Sequence, residues 1–165
     1  WWELDFPRWL VTPASATERL IAGLGATPKE TWQTPRDLLV VLETAEQVQG
    51  LQPDMNHLEQ LDCLGVIVTA PGEDVDFVSR FFAPRLGIPE DPVTGSAHCA
   101  LAPYWSERLG KTELHARQLS ARGGELWCQV TPERVLIRGG AVCYLSGQIH
   151  LPEKDINALS NPERG

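Results

Sequence analysis

The sequence predicts an α+β domain of the α/β-roll type: a curved, mostly antiparallel sheet wrapped around a central helix. Three observations predict it. Two near-continuous apolar runs of strand length, DLLVVLET and LGVIVTAP, read as strands buried on both faces. The segment SAHCALAPYWSERLG is apolar over most of a helical circumference, which suits a helix enclosed by a sheet. Beyond it, ELHARQLSA, ELWCQVTP and RVLIRGGAVCYLSG alternate between apolar and polar residues, with Gly-Gly or Pro-Glu turns between them. That is the pattern of antiparallel strands with one face in the core.

In chain order, WWELDFP reads as a strand with Trp2, Leu4 and Phe6 on one face and Glu3 and Asp5 on the other. Pro7 closes it. Ser15 to Glu18 has the form of a capping box, opening a helix that carries Leu20, Ile21 and Leu24 and stops at Gly25. The buried strands at 37–44 and 64–71 flank short helices at 45–49 and 54–61, the second capped by Asp54. A strand at 74–84 ends at Pro84, and the enclosed helix follows at about 96–109 with Gly110 as its C-cap. QIHLP reads as a last short strand. Three regions result: residues 1–10, a strand and crossover belonging to an absent N-terminal half; residues 11–151, one domain; and residues 152–165, a polar tail.

The 165 residues suffice for one hydrophobic core. A formal net charge of −8 argues against a nucleic-acid or anionic-membrane surface, and no segment has the apolar length of a spanning helix. Cys63, Cys99, Cys128 and Cys143 include no C-x-x-C pair, so they read as reduced core residues in a cytoplasmic protein. His57, His115 and His150 fall on separate elements, each read as solvated or packed, and no metal site is predicted.

The chemistry concentrates in GIPEDPVTGSAHCAL. A helix starting here leaves first-turn N–H groups unpaired, and its dipole adds about half a positive charge. Gly95 permits close approach to the backbone and Ser96 adds a hydroxyl, so a carboxylate or phosphate can bind at Thr94, Gly95, Ser96, Ala97 and His98. The plain alternative is an ordinary N-cap. Asp91, held extended by Pro92, can turn toward that helix end and either position a polar substrate or act in proton transfer. Ser96 and His98 do not form a dyad, because residues two apart on a helix diverge.

RFFAPRLGIPEDPVTGSAHCALAPYW, with LGKTELHARQLSARGGEL and RVLIRGGAVCYLSGQI, closely resembles the second half of the phenazine-biosynthesis isomerase (PhzF-like) family. The resemblance implies a diaminopimelate-epimerase-like fold of two similar halves, each a curved sheet around a helix, with the active site between them. It implies isomerisation of trans-2,3-dihydro-3-hydroxyanthranilate without metal or organic cofactor, a first-half glutamate moving the proton. Asp91 and Ser96 match active-site positions, and Gly95–Ser96 the region that holds the substrate carboxylate. Thr94 stands where related epimerases carry a thiol, and Cys99 lies too far into the helix to replace it.

The family's first half, with its catalytic glutamate, has no counterpart here; neither Glu3 nor Glu18 stands in a matching context. The expectation is therefore half of a cofactor-independent isomerase, inactive alone, taking a small carboxylate substrate, with no nucleic-acid or membrane partner and a homodimer as an allowed assembly. Asp91 and Ser96 are the expected catalytic residues. The alternative is a non-catalytic ligand-binding or protein-interaction module, supported if the early tryptophans Trp1, Trp2, Trp9 and Trp32 are exposed. A thiol enzyme using Cys99 is a third reading.

Overall fold

The computed structural model describes residues 1–148 and 150. Its strands, in chain order, are β1 (Trp2–Pro7), β2 (Thr12–Pro13), β3 (Glu30–Gln33), β4 (Leu38–Val41), β5 (Val66–Pro71), β6 (Phe77–Phe82), β7 (Glu113–Gln118), β8 (Gly124–Val130) and β9 (Arg134–Gly139). Its helices are α1 (Glu18–Leu24), α2 (Ala45–Gly50), α3 (Met55–Glu59) and α4 (Gly95–Leu109). All nine strands join one sheet in the order β1-β9-β8-β7-β6-β5-β4-β3-β2. Only the β4–β5 and β6–β7 pairs are parallel, so the sheet is mixed and mostly antiparallel, as predicted.

The two strand patterns divide the sheet into two regimes. In β4 to β6 both faces are buried. Leu39, Val41, Ile67, Phe77 and Phe81 face the core around α4, while Val40, Val66, Val68, Val78 and Phe82 face a second core closed by α1 and the short helices. Strands β7 to β9 bury one face only, which explains their alternation: Leu114, Ala116, Leu126, Cys128, Val135 and Ile137 pack against α4. On their outer face the polar residues pair across strands, as in Arg117–Glu125 at 2.8 Å and Arg134–Asp5 at 2.8 Å.

Helix α4 is buried continuously from Ala97 to Trp105. Pro103 lies inside it, and a proline there has no N–H to offer the carbonyl four residues back. That carbonyl, on Cys99, instead accepts the backbone N–H of Trp9 at 2.9 Å. The segment after β1 is thus fastened to α4 by the bond the proline leaves open. Gly110 ends the helix in the left-handed region, φ 66°.

Several expectations need correction. The first helix is capped by Thr17, whose hydroxyl accepts the Leu20 N–H at 3.2 Å, rather than by Ser15. Strands β2 and β3 have no clear signal in the sequence, because Thr-Pro and ETWQ are too short and polar for a period to show. The strand expected through 140–147 ends at Gly139, and Val142, Tyr144 and Leu145 stand exposed. QIHLP and the polar tail fall largely or wholly outside the described residues. Of the early tryptophans, Trp1 and Trp2 are exposed, whereas Trp9 and Trp32 pack against the α4 core; Cys143 is exposed, not a core residue.

Candidate active site

The loop from Glu90 to Thr94 crosses from β6 to α4 over the ends of β6 and β7, and polar contacts stitch it down. Arg80 in β6 holds Glu90 at 2.7 Å, so the acidic pair splits: Glu90 is an ion-pair partner and Asp91 is left for the site. The Asp91 N–H donates to the Phe81 carbonyl at 3.0 Å. The Asp91 Oδ2 atom accepts the Thr94 hydroxyl in a very short hydrogen bond.

Gln118, the last residue of β7, is fully buried. Its Oε1 accepts the Thr94 N–H at 2.9 Å, and its Nε2 donates to the Asp91 carbonyl at 2.6 Å and to Thr94 Oγ1 at 3.2 Å. Ser120 adds a bond to the Pro92 carbonyl at 2.7 Å. Sequence reasoning missed Gln118, although the alternation of β7 places Leu114, Ala116 and Gln118 on the buried side. A glutamine on a core-facing position needs partners, and that was the available signal.

Thr94 occupies the N-cap position of α4 but makes no capping bond, because its hydroxyl is turned toward Asp91 and Gln118. The first-turn N–H groups of Gly95, Ser96 and Ala97 consequently have no capping oxygen, which is what an anion requires. Gly95 forms part of a groove of about 890 Å³ walled also by Leu4, Val93, Gly124, Leu126 and Ile137. Thr94 and Ala97 are buried and Asp91 and Ser96 half-buried, and none of the four lines the groove.

Ser96 has an unforeseen partner. Arg36, in the turn before β4, donates from Nη2 to Ser96 Oγ at 2.9 Å. The same guanidinium pairs with the fully buried Asp37 at 3.2 Å and lies 5.5 Å from the Trp9 ring centroid. Burial pushes the Asp37 carboxyl up from the ordinary carboxylate range, and Arg36 opposes that shift. Because Ser96 Oγ accepts from Arg36, its own proton is free to be donated to a ligand. In the sequence, Arg36-Asp37 directly before a buried strand was the available hint, since a charged pair there must be satisfied locally.

His98 is fully buried. Its Nδ1 bonds the Thr94 carbonyl at 2.7 Å, and its ring lies 5.9 Å from that of Phe77. The side chain thus backs the wall from inside and presents no atom to the groove. Burial drives its pKa down to about 4, only partly offset by the bond to Thr94. The folded protein therefore resists protonating His98, whereas the unfolded chain protonates it near the ordinary 6.5. Stability is full above pH 6.5 and falls as the pH drops toward 4. Between pH 6.5 and 5 the loss is expected to be about 2 kcal/mol, measured by urea unfolding at each pH, with that contribution absent in His98→Gln.

The thiol of Cys99 points back to the Gly95 carbonyl at 3.7 Å, and burial pushes its pKa up to about 11. It is a poor nucleophile in this setting, which removes support from the thiol reading. Among the described residues no cluster of His, Cys, Asp and Glu is placed to hold a metal ion, and no helix is long and apolar enough to cross a membrane.

Comparison with known proteins bears on the family and the fold. A family model described as phenazine biosynthesis-like protein matches residues 10–147. An uncharacterized isomerase of Pseudomonas aeruginosa is 52% identical over 148 residues, covering 90% of this chain and 57% of that protein. A human phenazine biosynthesis-like domain-containing protein is 53% identical over 92 residues, covering 52% of this chain and 32% of its own. A solved structure of a phenazine biosynthesis protein of the PhzF family from Enterococcus faecalis superimposes with a TM-score of 0.83 at 47% identity, over 90% of this chain and 57% of the other. The chain thus spans 57% of the length of two of these relatives.

Proposed function

Because the chain belongs to the phenazine biosynthesis-like (PhzC-PhzF) family, an isomerase family, we propose that it forms the carboxylate-holding half of a cofactor-independent isomerase site. The observation that carries this reading is the start of α4. Its cap hydroxyl is withdrawn to Asp91, and its free N–H groups end at Gly95 on the groove wall. The substrate is a small cyclic or amino-acid-derived carboxylate. Its carboxylate sits on the N–H groups of Gly95, Ser96 and Ala97 and takes the Ser96 proton.

Holding the carboxylate at the positive end of a buried helix stabilises the charge that develops when a neighbouring C–H loses its proton. A proton is delivered to another carbon after the acid–base group has exchanged with solvent, so the product is an isomer and nothing is oxidised or reduced. Asp91 orients the reacting part of the substrate and assists the transfer. Thr94 and His98 act from behind the wall, positioning the first turn. The group that first removes the proton is supplied from outside these residues, so the 165-residue chain alone is inactive. The protein works in the cytoplasm.

The exposed Trp1, Trp2 and Leu4 along the same groove favour a second reading, a binding module without turnover. One experiment separates the two. A panel of small carboxylates is incubated in D2O with the full-length protein, with Asp91→Asn and with Ser96→Ala. Label is expected in product, reduced at least about tenfold in Asp91→Asn, in line with the usual share of positioned acid–base groups. Undiminished labelling in that variant would sink the role of Asp91, and no labelling of any carboxylate would leave the binding module.

A further inference from the structure

We propose that Gln118 is a positioning residue of this site, fixing the direction of the Thr94 hydroxyl so that Thr94 donates to Asp91. This rests on the proton-transfer reading above and deepens it.

The argument begins with two backbone groups that have no freedom. The Thr94 N–H can only donate, and the Asp91 carbonyl can only accept. Gln118 meets the first with Oε1 at 2.9 Å and the second with Nε2 at 2.6 Å, so its amide has one allowed orientation. The second Nε2 proton then points at Thr94 Oγ1, 3.2 Å away. A threonine hydroxyl that accepts from Gln118 still has one proton, and the remaining partner within reach is Asp91 Oδ2. The chain of donors runs one way, from the Gln118 amide through the Thr94 hydroxyl to the Asp91 carboxylate.

Complete burial of Gln118 and burial of Thr94 to 6% exposure keep water from offering either group a substitute. Asp91 Oδ2 is therefore committed as an acceptor, and Oδ1 is the oxygen left to deal with a substrate. The hydroxyl that would otherwise cap α4 is removed from the anion site by the same bond. One buried amide thus sets both features on which the proposed chemistry depends.

Gln118→Glu is the informative change, because it keeps the shape and replaces the Nε2 donor with an acceptor. The Thr94 hydroxyl then turns its proton toward position 118 and away from Asp91. Thr94→Val removes the relay without touching Gln118, and Thr94→Ser restores a hydroxyl. Two readouts are taken on the full-length protein. The first is the pH profile and the kcat and KM of deuterium incorporation, with whichever carboxylate of the panel exchanges fastest. The second is the proton resonance of the Thr94 hydroxyl, which a short bond to a carboxylate moves far downfield and which needs no substrate.

In Gln118→Glu and Thr94→Val, kcat is expected to fall about tenfold or more with KM within about twofold, the mark of an interaction that matters in the transition state. The pH profile is displaced and the downfield hydroxyl resonance is lost in both variants, and Thr94→Ser recovers that resonance and the kcat lost in Thr94→Val. A merely structural glutamine would lower stability and leave kcat and the resonance in place. Unchanged kcat and an unchanged resonance in folded Gln118→Glu overturn the proposal. If the wild-type protein labels no carboxylate, the reaction reading fails by itself, and the resonance alone decides: its loss in Gln118→Glu upholds the relay and its persistence overturns it.

Discussion

Arg36→Ala is expected to destabilise the protein by about 3 kcal/mol, the scale seen when one partner of a buried ion pair is removed. Asp37 has no exposed side-chain surface, so its carboxylate cannot recover hydration when the guanidinium is gone. Arg36 is itself one-third exposed, which places the loss toward the lower end of the usual range. Burial already raises the Asp37 pKa, and without Arg36 that rise is larger. A carboxyl whose folded pKa lies above its unfolded value favours folding when protonated. The defect of Arg36→Ala is therefore smallest at low pH and grows as the pH rises through the Asp37 titration. Urea unfolding at several pH values measures this, and adding Asp37→Asn should recover most of the loss. An equal penalty in the single and double variants would show that Arg36 contributes only its packing on Trp9 and its bond to Ser96.

Phe77→Ala is expected to cost about 3–5 kcal/mol, the usual penalty for emptying a fully buried aromatic position. Phe77 is fully buried where β6 joins the parallel strand β7. Its ring is nearly parallel to that of Trp105, 7° apart with centroids at 5.9 Å, and it flanks His98 at the same centroid distance. The cavity would open against the helix that presents the candidate site. A fall in the urea midpoint with an unchanged slope is the predicted signature, with Phe77→Leu losing less than half as much. A midpoint within experimental scatter of wild type would show that β6 and α4 repack around the gap.

The parts of this architecture that were legible in the sequence are those whose physics is local. The apolar circumference of α4 announced an enclosed helix, and Gly110 marked its end. The contrast between LGVIVTAP and ELWCQVTP distinguished strands buried on both faces from strands buried on one. The Glu90–His98 stretch was legible as a helix start that could hold an anion. The residues that complete it were not, because their roles depend on long-range pairing. Gln118 reaches Thr94 across 24 positions, and Arg36 reaches Ser96 across 60. Spacing within a motif carries no information about partners brought in by the sheet. Strands β2 and β3 were missed for a related reason: with two and four residues, they are defined by pairing, β3 with β4 and β2 with β3, and not by their own pattern.

The bond between Trp9 and the carbonyl released by Pro103 gives the start of the chain a property its surroundings lack. Leu10 beside it is exposed, and β1 before it lies at the edge of the sheet. The Trp9 amide hydrogen, however, is tied to a carbonyl that is presented only while α4 is wound and seated. Its exchange with solvent requires this segment to lift off the buried helix or the helix itself to open. The Trp9 amide therefore reports how firmly the start of the chain is held on the core, with the Leu10 amide next to it reporting the surface.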